Sequence, residues 1–214
     1  MRALTQILAR RDNGSQAESS HLVTLIEQAA DGMERLIESL LSYAQAGHGE
    51  LNRQRVPVDP IIESVRLTLA PLITKTGARI VYKPMPAVEA DPVLLAQVLQ
   101  NLIANAMQYH RPGEPPLVEI SGNRSGAEWR FAVKDNGQGI PQNQQDSIFE
   151  PLKRLHGSDT PGTGLGPALW CRTIVARHGG RMWVESDGDG CGATFCFTLA
   201  AAQATPSIIQ RIKV

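Results

Sequence analysis

The 214-residue sequence predicts an α/β fold, specifically a two-layer α+β sandwich with a mostly antiparallel sheet and its helices on one face. Three observations predict it. Short alternating or apolar stretches (ARIVYK, AVEA, LVEISGNRSGAEWRFAVKDNG, RMWVES and GATFCFTLA) read as strands, several of them joined by Gly-containing turns. Two Asp-Pro pairs, Asp59-Pro60 and Asp91-Pro92, each supply an N-cap and a first-turn proline for a helix. A further helical stretch, residues 167–178, ends at Gly179-Gly180 directly before the last hairpin.

Taken in order, MRALTQILARR reads as a short helix over residues 1–11, followed by the polar turn RDNGSQ. From Ser19 to Gly47, Leu22, Leu25, Ile26, Ala29, Met33, Leu36, Ile37, Leu40 and Ala44 recur at spacings of three and four, the mark of one long amphipathic helix. That helix runs about eight turns and its predecessor about three, so the apolar stripe needs a partner from elsewhere. Gly47-His48-Gly49 ends it. The expected division is residues 1–48 as a partial helical hairpin, 49–200 as the α/β body and 201–214 as a tail. Within the body, LNRQRVPV is a strand candidate, one helix runs from Asp59-Pro60 to Thr76, and another from Pro92 to His110.

Composition narrows the function. Twenty-one basic and 21 acidic residues cancel, which argues against a nucleic-acid binder. No apolar run approaches the roughly 20 residues of a membrane span, and the N-terminus lacks signal-peptide architecture. Cys171, Cys191 and Cys196 form no CxxC pair, so neither a disulfide framework nor a zinc site is expected. A reducing, cytoplasmic setting is the default expectation.

The chemistry lies in a constellation. On the 92–110 helix, Asn101, Asn105 and Gln108 share one stripe beside the core face of Leu94, Val98, Leu99, Leu102, Ile103 and Ala106. Amides at the edge of a buried face are costly without partners. Either they bond to backbone, or their oxygens meet a hydrated Mg²⁺ and phosphates. DNGQGI ends a strand. Gly137 and Gly139 let the backbone turn sharply towards a flat ligand, and Asp135 can accept a hydrogen bond from an exocyclic amine, although Asp-Asn-Gly is also a commonplace turn. GTGLG, residues 162–166, opens a helix whose N–H groups and dipole suit phosphates; alone it is weak evidence.

The order of these parts says more than any one of them. An Asn-x3-Asn helix, a strand ending in DxGxG, IFEP, then GTGLG opening a helix resembles the ATP-binding half of sensor histidine kinases, on the GHKL fold shared with gyrase, Hsp90 and MutL. NLIANAMQY resembles that family's asparagine box, DNGQGI and GTGLGPAL its two glycine boxes, and IFEP its phenylalanine box. RLHG, YHRPGEPP and HGGRMWVES resemble the bacterial phytochrome-type subgroup. The resemblance runs from Leu51 to Leu199. It also makes ERLIESLLSYAQAG look like the second helix of a dimerisation and phosphotransfer hairpin, which would pair in a four-helix bundle of two chains.

The resemblance implies roles residue by residue. Asp135 would read the adenine amino group, Asn105 would ligate Mg²⁺ and Asn101 would assist at the phosphates of ATP. Gly137, Gly139, Gly162, Gly164 and Gly166 would shape the floor and lid, Thr163 and Leu165 between them would belong to the nucleotide-binding set, and Tyr109 and Ile140 would line the site. Phe149 would anchor a lid over residues 150–163. The implied reaction is phosphoryl transfer from ATP to a histidine, and the implied partner a response regulator receiver domain.

The sequence departs from the family at several positions. The phosphoacceptor motif, His-acidic ahead of a Pro-Leu pair, is absent; the histidines are His21, His48, His110, His156 and His178. Self-phosphorylation at the usual position is therefore not expected. His178 reads as a helix C-terminal residue favoured by the dipole. Gln108 stands where the family has a phosphate-contacting Lys, a charge that Arg154 or Lys153 would partly restore. Pro167 follows GTGLG and removes one N–H donor. Leu152 replaces a Phe after IFEP. Beside the competent kinase region stand two alternatives: a degenerate module that dimerises or docks signalling partners, and a serine-directed kinase of the anti-sigma type, against which the long helix and the phytochrome-like details argue.

Overall fold

A computed structural model of the chain describes Val23, residues 50–150 and residues 167–202. The expected helices over residues 1–11 and 19–47, and the expected lid, lie outside the described residues but for Val23 and Glu150. The described part contains β1 (Gln54–Pro57), α1 (Val58–Thr68), α2 (Ala70–Thr76), β2 (Arg79–Tyr82), β3 (Ala87–Ala90), α3 (Pro92–Gln108), β4 (Leu117–Ser125), β5 (Glu128–Asp135), α4 (Pro167–Arg177), β6 (Met182–Glu185) and β7 (Thr194–Ala200). Two short 3₁₀ turns, Gln142–Gln144 and Ser147–Phe149, follow β5.

The main sheet has the order β2-β4-β5-β7-β6, antiparallel except for the parallel β2–β4 pair. Strand alternation sends Phe131, Val133, Phe195, Phe197 and Leu199 to one face, where they are buried and meet the helices. The rings of Phe131 and Phe197, paired in register, stack at 5.1 Å. Against them lie Leu95, Val98, Leu99, Leu102 and Ile103 of α3 and Ile174 and Val175 of α4. This is the two-layer sandwich with helices on one face. β1 and β3 form a separate antiparallel ladder, stitched to the end of β7 by the Val88–Ala201 bridge and the bond from Ala202 N to Ala87 O. Pairing thus continues two residues into the stretch expected to be tail.

Three local expectations are corrected. The helix expected over residues 59–76 is two helices, broken at Leu69. Pro71, in the first turn of α2, has no N–H to continue the ladder. Asp59 is not an N-cap: it lies in the first turn of α1, and its carboxylate instead accepts from Met85 N at 2.8 Å. Its counterpart Asp91 does cap α3, accepting from Val93 N and Leu94 N, with Pro92 in the first turn.

The third correction is His178, expected to gain from a helix dipole. It is buried, and its Nε2 accepts a hydrogen bond from Asp91 N at 2.9 Å while its Nδ1 meets Ile174 O at 2.8 Å. A ring nitrogen that accepts from a backbone N–H carries no proton, so the ring is the neutral Nδ1–H form. Burial holds its pKa below the ordinary value, as do the Arg53 and Arg177 charges; the bond to Ile174 and the Asp91 carboxylate act the other way. The ring therefore meets the helix end through its Nδ1–H on the Ile174 carbonyl rather than through a full charge.

Candidate functional site

α3 positions the amide stripe. Its apolar face, from Leu95 to Met107, is buried, which leaves Asn101 and Asn105 half-buried at the border and Gln108 exposed. Asn101 Nδ2 donates to Gln97 O, one turn back, at 2.9 Å. The Asn105 side chain has no hydrogen-bonding partner among the described residues. Of the two readings of the stripe, backbone bonding therefore describes the nitrogen of Asn101, and among the described residues it does not describe the Asn105 amide.

One turn beyond Asn105, Tyr109 ends the helix and accepts from Gln138 N at 2.9 Å. The Gln138 side chain adds a bond to His110 O at 3.3 Å. The DNGQGI loop is thus hung on the end of the amide helix, bringing Asp135, Gly137, Gly139 and Ile140 together with Asn105 and Tyr109. Asn136 fastens the loop on its other side. Its side chain accepts from Leu117 N and donates to Pro115 O, and its carbonyl accepts from Arg111 Nε.

Asp135 ends β5 and is held by backbone. Its Oδ1 accepts from Gly137 N at 2.8 Å and from Ala193 N at 3.1 Å, and its own N–H donates to Ala193 O at 2.9 Å. Oδ2 has no protein partner among the described residues. Burial raises the carboxyl pKa, and the two backbone N–H groups oppose that rise. One oxygen is thereby locked and the other presented, the arrangement a base-reading acceptor needs.

The glycines of the loop serve contacts within the protein. A Cβ on Gly137 would lie 2.5 Å from Tyr109 O, and one on Gly139, at φ +78°, would lie 1.9 Å from Gly188 O. The sequence reasoning gave these glycines a ligand to approach; the atoms they approach are carbonyl oxygens of Tyr109 and Gly188.

Those contacts reveal a segment that the sequence reasoning missed, residues 186–193 (SDGDGCGA). Ser186 Oγ donates to Gly192 O at 2.7 Å and accepts from Ile140 N at 3.0 Å. Gln145 Nε2 bonds both Ile140 O and Ser186 O. Gly188, Gly190 and Gly192 all have positive φ. Their alternate spacing signals a tight turn, but only the folded sheet sets that turn under Asp135.

Phe149 is buried beneath the Arg172 guanidinium, 5.1 Å above its ring, so the residue expected to anchor a lid is packed on α4. Arg154, Gly162, Thr163, Gly164, Leu165 and Gly166, together with Leu152, Lys153 and His156, lie outside the described residues. Pro167 is the first residue of α4. Among the described residues no group of three or more His, Cys, Asp or Glu side chains could hold a metal ion, and no helix is long and apolar enough to cross a membrane.

Comparison with known proteins shows the family. The family described as histidine kinase-, DNA gyrase B-, and HSP90-like ATPase matches residues 90–203, more than half of the chain. Cyanobacterial phytochrome A of Nostoc sp. is 38% identical over 184 residues, covering 86% of this chain and 24% of its own length. The adaptive-response sensory kinase SasA of Synechococcus elongatus is 34% identical over 197 residues, covering 85% and 49%. The chain therefore spans about a quarter of the phytochromes it matches. Among solved structures, full-length ShkA in complex with AMPPNP superposes with a TM-score of 0.67 at 26% identity, over 94% of this chain and 42% of that one. The catalytic domain of the histidine kinase ThkA gives 0.58 at 28%, over 70% and 95%. The chain belongs to the histidine kinase-, DNA gyrase B- and HSP90-like ATPase family and carries the catalytic domain type found in two-component sensor histidine kinases.

Proposed function

We propose that the site between α3, the DNGQGI loop and the start of α4 binds Mg-ATP and delivers its γ-phosphate to a histidine not present in this chain, on an acceptor helix supplied in trans. One observation carries this reading: Asp135 has one carboxylate oxygen saturated by two backbone N–H groups and the other without a partner among the described residues, beside a helix whose Asn105 amide likewise has none among them. Asp135 Oδ2 accepts from the adenine amino group. Asn105 supplies one hard oxygen to Mg²⁺, and Asn101, with its nitrogen engaged on its own helix, presents its oxygen near the phosphates. The residues fit such an ion: a Mg²⁺ that keeps several waters and takes phosphate oxygens needs one protein ligand, and no acidic cluster. When bound, Mg²⁺ neutralises charge on the transferring phosphoryl group. The chain itself contributes position. Tyr109 and Ile140 line the base, Gln108 stands at the phosphate end, and the glycines of residues 162–166 with Thr163, Leu165 and Arg154 complete the phosphate side.

The same reading makes residues 1–48 a dimerising hairpin, residues 49–200 the catalytic body, and a receiver domain the downstream partner. ThkA, whose structure in complex with the response regulator protein TrrA shares this fold (TM-score 0.67, 21% identity), supplies the precedent for that partner. Gln108 favours a second reading, a module that docks partners without transfer, because a neutral amide replaces a cation at the phosphate end.

Calorimetry with ATP, with and without Mg²⁺, separates the two. Micromolar, Mg²⁺-dependent binding lost in Asp135→Asn supports the catalytic reading. Failure of the unmutated chain to bind any nucleotide would leave the docking module.

A further inference from the structure

The joint at the opposite end of the two site helices is built from four segments far apart in sequence. The Asp91 carboxylate caps α3 through Oδ1, and its Oδ2 accepts from Asn52 N at 3.1 Å. The Asp91 N–H donates to His178 Nε2 at 2.9 Å, and His178 Nδ1 donates to Ile174 O at 2.8 Å, in the last turn of α4. The Arg53 guanidinium donates to Arg177 O at 2.5 Å. Residues 50–53, which lead into the body from the N-terminal segment, are therefore fastened to the start of the helix carrying Asn101 and Asn105. They are fastened equally to the end of the helix that GTGLG opens. His178 is the only side chain among these bonds that bridges α3 to α4, and it is buried.

We propose that His178 is a positioning residue: in its neutral Nδ1–H form it locks the linker at Asn52–Arg53, the cap of α3 and the end of α4 into one unit, and so sets the spacing of the nucleotide-binding helices. The inference rests on the nucleotide reading of the site for its consequence, and on the hydrogen bonds alone for the joint. The lock has one weak point. A proton on Nε2 would face the Asp91 N–H, donor against donor, with no acceptor to replace it. The charged groups around the ring are Arg53 on the linker, Asp91 at the start of α3 and Arg177 on α4. The two cations resist the proton and the carboxylate favours it, and burial adds to the resistance. The joint is therefore closed at neutral pH and opens as the medium becomes acid. The helices stay packed along their length, with Cys171 Sγ on Val98 O, but the start of α3 then loosens from the end of α4, and the linker and the nucleotide site communicate through this ring.

The test uses the full chain, His178→Gln and His178→Phe. Gln keeps an amide acceptor and donor but cannot titrate; Phe keeps the ring and loses both bonds. ATP affinity measured from pH 7.5 to 5.5 should fall on the order of fivefold more in the unmutated chain than in His178→Gln, the value of one lost hydrogen bond. Titration of the nucleotide itself is common to both proteins and cancels. His178→Phe should bind weakly at every pH. Independently of nucleotide, hydrogen exchange at the amides of Asp91, Val93 and Leu94 should be slow in the unmutated chain and in His178→Gln at pH 7.5, and fast in His178→Phe. A nitrogen NMR spectrum should show Nδ1, not Nε2, protonated at pH 7.5. Superimposable pH profiles of the unmutated chain and His178→Gln, or an Nε2–H tautomer, would overturn the proposal. Slow exchange in the unmutated chain without ATP binding at any pH would uphold the joint and reject only the nucleotide reading.

Discussion

On the proposed reading, the base end and the phosphate end of the candidate site are built on opposite plans. At the base end every group is over-determined by backbone. Asp135 is held by Gly137, Ala193 and its own N–H, and the loop is hung on Tyr109 and stacked on Gly188. At the phosphate end the groups are side chains standing off one helix face, and the Asn101 amide is tied to its own helix. The difference teaches where each part of binding is specified. Reading a flat base needs an acceptor in a fixed place, which backbone supplies cheaply once the sheet has formed. Holding a hydrated ion and a mobile phosphate chain needs oxygens that can adjust.

The largest expected effect tests the rigid end. Gly139→Ala places a Cβ at 1.9 Å from Gly188 O and forces a side chain onto φ +78°. Backbone must move, so a loss of about 3 kcal/mol or more is expected, read as a fall of roughly 10 °C in Tm. A Tm within 2 °C of the unmutated protein would mean the base end is not over-determined.

Asp135→Asn comes next and separates function from stability. The amide oxygen can still accept from Gly137 and Ala193, while the amide nitrogen turns a donor towards the adenine amino group. ATP affinity should fall about 10- to 100-fold, the range of a hydrogen bond to a charged group. Stability should not fall with it. The folded carboxyl pKa is raised, so its stabilising contribution is present below the unfolded value and is lost as pH rises through the folded value. At pH 7 the buried charge is a cost that Asn removes, and the Tm should stay level or rise.

At the adjustable end, Asn105→Ala should abolish the Mg²⁺-dependent increment in affinity and leave Mg²⁺-free ATP binding within about threefold, measured by calorimetry in both conditions. Equal losses with and without the ion would make Asn105 part of the rigid frame instead. Gln108→Lys restores a cation at an exposed position. A gain of about threefold in ATP affinity is expected, and it should fade as salt is raised, as an exposed ionic contact does.

The smallest effect is a stability profile set by His178. Its folded pKa lies below the unfolded value near 6.5, so its contribution is fully present above that value. It is lost as pH falls through the folded value. Denaturant unfolding from pH 7.5 down should show a decline that His178→Gln lacks.

Much of this was legible beforehand. The strands, the α3 helix with its Asp91-Pro92 start, the helix from residue 167 and the order of the glycine and asparagine segments are local patterns of capping, periodicity and turn chemistry, and such patterns do not need the fold to be read. The break at Leu69 was less legible, because the apolar spacing runs through it and Pro71 alone marks it. Asp59 misled for a related reason: Asp-Pro is the same dipeptide at residues 59 and 91, and only the neighbouring strand decides that Asp59 turns to Met85 N.

Local sequence thus fixes a list of parts: which residues accept, which turn, and which face of α3 is apolar. Only the tertiary structure decided their partners. The segment 186–193 became the floor beneath Asp135, the glycines of DNGQGI met carbonyls of Tyr109 and Gly188, and His178 became a neutral link to Asp91 in place of a charge on a helix end. The physical reason is range. Capping, helical periodicity and turn chemistry act within a few residues, whereas a buried hydrogen bond between residues 91 and 178 exists only after burial has removed the water that would otherwise satisfy both groups.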